Sequence, residues 1–503
     1  MNRRDFFKLS GTVGAGAALG LGGVPSAWGR AAFLAQPRRD AAAHVVHRLT
    51  FGPALGLLEQ VRAMGPMAFI EQQLHPAALP DPQVEALLAD FETLSLSGPE
   101  VVARYQADNQ RAVAALELQA ATLLRAVYSQ RQLFELMVHF WSDHFNILLF
   151  QTPTIFLKPA DDRDVIRAHA LGNFRALLGA SAASPAMLVY LDNASSNRRQ
   201  PNENYARELL ELHTLGVDGG YTEQDVYEVA RAFTGWTIAP LRREVPNVAS
   251  GAFYFDPRRH DDGEKVVLGQ RIPAGGGLED GARVLDILAA HPATARSIAG
   301  KLARRFVADA PPTEVIEAGA AAFLASGGEI VPVLRAIFEH AAFLGRPRPK
   351  LRRPYEYVVA SLRALSADFG NPQAGFRRLR QTLEALGQVP FSHPAPDGFP
   401  DVASAWQDNL LPRWNHAITL TSGGLGAIQP DFDAVLAQLP PANDVPTLLS
   451  NLADYLLGRS LTPEEAALLQ GLLGEADLSS AQGRQTIQES LALLLACPAF
   501  QYR

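Results

Sequence analysis

The sequence predicts an all-α protein: a large multi-helical body with one small β-hairpin insertion. Three observations predict it. Apolar residues recur at every third or fourth position through most of the 503 residues. The positions between them are filled by Ala, Leu, Glu, Gln and Arg rather than Val, Ile and Thr. The repeated apolar strands that a parallel sheet needs between its helices are missing.

Taken in order, "RRDFFKLSGTVGAGAALGLGG" sets Arg3 beside Arg4, follows with Phe6 and Lys8, and runs into a mildly apolar Gly/Ala/Leu stretch. This is the pattern of a twin-arginine export signal over residues 1–29, with the export machinery as the first expected partner and the periplasm or the extracellular space as the destination. Residues 30–43 read as a linker. Residues 44–345 read as the main helical domain and 346–503 as a C-terminal helical region packed on it.

Within these, the spacing predicts helices over 54–64, 66–74, 83–94, 113–129, 131–149, 161–179, 203–215, 222–234, 280–290, 293–307, 313–326 and 329–340. Later ones are expected over 354–366, 373–386, 402–410, 445–457, 461–473 and 480–495. The best strands are Ala252 to Asp256 and Lys265 to Gly269, read as a hairpin across "PRRHDDGE" inside a loop-rich insertion over 236–279. A second loop-rich zone, 388–401, is stiffened by prolines.

Composition narrows the function. The balance of 45 basic and 52 acidic residues gives a net charge of -7 with no basic excess, which argues against nucleic acid as a partner. The single cysteine, Cys497, excludes an internal disulfide and a cysteine-rich zinc or iron–sulfur site, and it reads as a buried apolar group. No uninterrupted apolar run of about 18 residues predicts a membrane span. Haem attachment, Walker and dinucleotide motifs are missing, as is Gly-x-Ser-x-Gly.

Three polar constellations stand out. In "NENYARELLELHTLGVDG", Asn202 is a good N-cap and Gly216 a good residue to follow the helix. The polar face between them carries Asn204, Glu208 and Glu211 at i, i+4 and i+7, spacing that suits oxygen ligands or paired carboxylates. On spacing alone the same face reads first as a solvated one laced by Glu203–Arg207 and Arg207–Glu211 pairs. His213 falls near the carboxyl end, where the helix dipole favours its protonated form.

In "LMVHFWSDHFNILLF", apolar residues surround the helix, so His139, Asp143 and His144 must meet protein rather than water. His139 and Asp143, at i,i+4, are placed to bond one another. In "HDDGEK", a His260–Asp261 pair suits a general base and Lys265 suits an anion, with Trp236 shortly before.

A metal-assisted hydrolase would bring His139, Asp143, Glu208, Glu211 and His260 together around a divalent ion. Catalysis would then fall to His139, Asp143, Glu208, His260 and Asp261, with Arg207, Trp236 and Lys265 holding substrate or anion. The competing expectation is a non-catalytic binding or assembly protein of the envelope.

The segments "HVVHRLTFGP", "HFWSDHFN", "LGNFRALL", "PAMLVYLDN", "NENYARELLELHTLGVDGGYTEQDV", "ARAFTGW", "HDDGEK", "HPATA" and "CPAFQYR" follow one another along the chain. In that set and order the sequence resembles a bacterial family catalogued as domain of unknown function 1800. The resemblance implies an exported, mostly helical protein, and it implies a second partner, an exported sulfatase-like protein of the family catalogued as domain of unknown function 1501. It supplies no reaction and no catalytic residue.

Overall fold

The computed structural model describes residues 38–105, 110–240, 245–345 and 348–503. The expected export signal over 1–29 and most of the expected linker lie outside the described residues. The last residues of that stretch are helical: Asp40 accepts from the Ala43 amide at 2.6 Å and caps a helix over Ala41–Leu49.

The body is helical, as its periodicity predicts, and its apolar faces close on one continuous core that runs from Ala42 to Phe500. Residues on both sides of position 345 contribute to it, among them Trp141, Phe306, Tyr355 and Leu494. Helices Pro292–Phe306, Thr313–Ser326 and Ile330–Glu339 pack in succession. Helix Leu410–Thr421, where only 402–410 was expected, packs on Ala481–Ala496. A smaller apolar cluster joins Val101, Leu118, Leu149 and Phe156 to Phe391 of the proline-rich loop. Among the described residues no helix is long and apolar enough to cross a membrane.

Two expected helices are interrupted. Over 161–179 the chain forms a π-helical stretch, Asp162–Arg167, and restarts at Phe174–Ala182 behind an Asn173 cap. The expected helix over 203–215 is α-helical over Glu203–Glu208 and π-helical over Leu209–Thr214. Its ends fall where the sequence placed them: Asn202 Oδ1 accepts from the Asn204 and Tyr205 amides, and Gly216 takes a φ of 86°.

The expected hairpin resolves into two. Both predicted strands form, but each pairs elsewhere: β1 (Trp236–Ile238) with β2 (Phe253–Phe255), and β3 (Lys265–Val267) with β4 (Gln270–Ile272), both antiparallel. All four strands are three residues each, too short to show alternation.

Candidate functional site

The helix Gln132–His144 is buried on nearly every side, as its apolar surround requires. The expected bond between His139 and Asp143 is absent, because Asp143 is taken by Arg353, whose Nη1 donates to Asp143 Oδ2 at 2.6 Å. Arg353 also donates to Glu356 Oε1 at 3.1 Å, and Arg305 bonds the same carboxylate. Lys350 bridges Asp309 at 2.8 Å and Asp401 at 3.0 Å.

Burial pushes Asp143 upward against the pull of Arg353. For Glu356, burial is outweighed by Arg305, Arg503 and Arg353, which hold its carboxyl well below the usual range. Asp401, half-buried, is drawn down to about 2 by Lys350, Arg305 and Arg353. These groups form a salt-bridge lattice that gathers Arg305, Lys350, Arg353 and Arg503 with Asp143, Glu356 and Asp401 from separate stretches of the chain.

His139 lies against this lattice, its ring 4.9 Å from that of Tyr355. Burial, then the nearby Arg353 and Arg305, drive it well below its ordinary pKa, so it is neutral. Its Nε2 and Ser142 Oγ are both buried without a hydrogen-bond partner, and both residues line an enclosed cavity of about 10 Å³. That volume is on the scale of a single water, so no substrate reaches His139 in this conformation.

Glu208 and Glu211 sit elsewhere, on the half-exposed face of the interrupted helix. Burial, followed by Glu211 and Asp397, raises Glu208. Tyr221 donates to Glu211 Oε2 at 3.3 Å. Arg207 makes neither expected i,i+4 pair but a bidentate one with Glu223 at 2.8 and 2.6 Å.

His213 contradicts its expected charge. Burial, with help from Lys301, lowers it to about 3, because the helix end points into the core and not into water. Lys301 Nζ donates to His144 Nδ1 at 3.1 Å, which leaves His144 Nε2–H to donate to the His213 carbonyl at 3.2 Å.

The third constellation ties the hairpins to the body. His260 Nδ1 donates to the Thr234 carbonyl at 2.8 Å, and Nε2 faces Asp280 Oδ2 at 3.2 Å. Lys265 Nζ donates to the same Asp280 oxygen at 2.6 Å and to the carbonyls of Asp261 and Gly263. Asp261, expected to pair with His260, instead accepts two bonds from Arg231 at 2.9 and 3.0 Å, which lower its pKa.

Trp236 is packed against Phe233 and Phe253 with its ring over Gly281, where a Cβ would fall 2.7 Å from it. Trp141 is likewise in the core, where its Nε1 donates to the Ala170 carbonyl at 2.9 Å.

The five expected metal donors therefore occupy three separate settings. Among the described residues no group of three or more His, Cys, Asp and Glu side chains is placed to hold a metal ion. Sequence reasoning missed Arg353, Glu356, Lys301, Asp280 and Arg231. The paired arginines of "LRRPYEY" and the acid in the apolar helix start "LEDGARVL" were the only local signals for them.

The proline-rich loop is fitted closely to this region. Asn146 Nδ2 donates to the His393 and Ala395 carbonyls at 3.0 and 2.7 Å, and Tyr190 donates to the Pro394 carbonyl at 2.8 Å. Gly398, at φ 71°, approaches so near that a Cβ would lie 2.1 Å from the Asp143 carbonyl oxygen. An open cleft of about 360 Å³ lies on the other side of Glu135, lined by Arg125, Arg131 and Arg167.

Comparison with curated proteins and with solved structures finds no match for the chain. One family model does match, over residues 44–502, and it carries the description "Protein of unknown function (DUF1800)". The matched span takes in the salt-bridge lattice, the interrupted helix and both hairpins, so the chain belongs to this family.

Proposed function

We propose that the protein is a non-catalytic binding or assembly component of the cell envelope, exported folded by the twin-arginine route and acting with an exported sulfatase-like partner. One observation carries the reading: the side chains best suited to catalysis are engaged as structural fasteners. Asp143 is held by Arg353, Asp261 by Arg231, Arg207 by Glu223, and both His260 and Lys265 by Asp280.

A general base needs an open path to its substrate, and a metal site needs convergent lone pairs that no guanidinium has already claimed. The competing reading, metal-assisted hydrolysis, draws its support from Glu208, a half-exposed carboxyl raised by burial and by Glu211 and Asp397.

The two readings separate in one experiment on the folded chain purified from the periplasm without chelator. Co-expressed with an exported sulfatase-like protein from the same source, the chain is expected to elute from a sizing column as a stoichiometric complex and to carry no stoichiometric metal. No complex, together with near-stoichiometric metal lost in both His139→Ala and Glu208→Ala, would replace the binding reading with the metal enzyme.

A further inference from the structure

The open cleft is built from helix Pro82–Leu88, helix Val113–Tyr128 and the start of helix Gln132–His144, with Arg167 reaching in from the π-helical stretch. Its polar groups are unequally used. Asp81 accepts from Ser129 Oγ at 2.5 Å and from the Gln130 amide at 3.0 Å. Glu135 is held by Arg167 through two bonds of 2.5 and 3.0 Å, and Arg167 also lies over the Phe134 ring. Arg131 donates through Nε to the Leu79 carbonyl at 2.7 Å.

Arg125 is different, because its Nη1 is buried and has no hydrogen-bond partner. Burial and the repulsion of Arg167 push Arg125 down to about 10, although Glu135, Asp162 and Asp81 favour its charge. It is therefore a cation at neutral pH with an unmet donor. Leaving such a donor unmet in a desolvated place is costly, and an oxyanion is the group that relieves the cost through charge-assisted bonds.

We propose that this cleft is a binding site for a small ligand carrying one carboxylate or phosphate group on a compact apolar body. The oxyanion is held by Arg125, whose Nη1, closed to solvent before binding, turns into the cleft to meet it, with Arg131 beside it. The apolar body lies against Val84, Leu88, Ala89 and Phe134, which form the rest of the wall. A volume of about 360 Å³ falls within the range of small-molecule sites. The exposed acid Glu85 on the same rim disfavours a polyanion and limits the ligand to a single oxyanion.

The test is calorimetric titration of the folded mature chain with butyrate, butyl phosphate and, as a cationic control, butylamine. Saturable one-to-one binding is expected for at least one anion and not for butylamine, and the anion preferred identifies the oxyanion. Arg125→Met is expected to weaken that binding tenfold or more, by about 1.4 kcal/mol. Arg271→Gln, a charge-matched change on the β3–β4 hairpin, is expected to leave it intact.

Should Arg125→Met fail to melt like the wild type, Ala89→Trp, which fills the cleft from its exposed rim, is expected to abolish binding. The proposal is overturned by no saturable anion binding up to about 10 mM, by equal binding of butylamine, or by undiminished binding in a folded cleft variant.

Discussion

Arg353 shows how a single side chain converts a candidate catalytic acid into part of the scaffold. It lies 210 positions from Asp143 in sequence, yet its Nη1 meets that carboxylate at 2.6 Å while its Nε meets Glu356. Burial pulls its pKa down, but Asp143, Glu356 and Asp401 together hold it above the ordinary arginine value. Arg353→Met removes the cation and leaves two buried carboxylates short of a partner, a loss of about 3–5 kcal/mol. Chemical denaturation should register it, and adding Asp143→Asn should return part of the loss because one stranded charge goes too. If the double variant is as unstable as the sum of the two singles, the pair is not the fastener described here. Nothing in "HFWSDHFN" indicates this partner: the histidines and the acid were visible as residue types, but what each touches is decided by chain segments hundreds of positions away.

At the scale of elements, the interrupted helix explains why spacing read the polar face only in part. Asn202, Gly216 and the buried positions Tyr205, Ala206, Leu209 and Leu210 follow α-helical expectation, since caps and apolar faces are local properties. Past Glu208 the wider π turn rotates every later side chain away from the i,i+4 register, so the Arg207–Glu211 pair cannot form as drawn.

The widened turn is stabilised from within, by Thr214 Oγ1 donating to the Leu209 carbonyl at 2.7 Å. Thr214→Val keeps the shape and removes that donor, so a loss of about 1 kcal/mol is expected from the buried bond. Amide hydrogen exchange should quicken across 209–214 and not across the capped start at 203–206. Uniform quickening of both parts would show that the hydroxyl does not support the π turn in particular. The strands tell the same story in reverse: "AFYFD" and "KVVLG" were legible as strands, but their partners, three residues each, carry no periodic signal of their own.

For the whole molecule, the burial of histidine is the property with the widest consequence. His44, His47, His139 and His144 are driven well below their ordinary pKa of 6.5, His213 to about 3 and His416 to about 4, in every case chiefly by burial. In the unfolded chain each of these rings binds a proton near pH 6.5, whereas in the folded chain it does not. The folded state is therefore fully favoured above that pH, and stability falls as acid fills the unfolded rings, until each folded pKa is passed. Each ring contributes a slope of about 1.4 kcal/mol per pH unit within its window. Asp401, about 2 in the folded chain, and Glu356 add a second loss at lower pH, as their carboxylates are protonated and the lattice loses its anions. The melting temperature should hold steady above about pH 7 and drop steeply below about pH 6. His213→Asn should make that descent shallower by one proton's worth without moving its onset. A melting temperature that stays flat from pH 7 to pH 4.5 would mean that these rings take up protons in place, and that the core is far more open to water than its packing indicates.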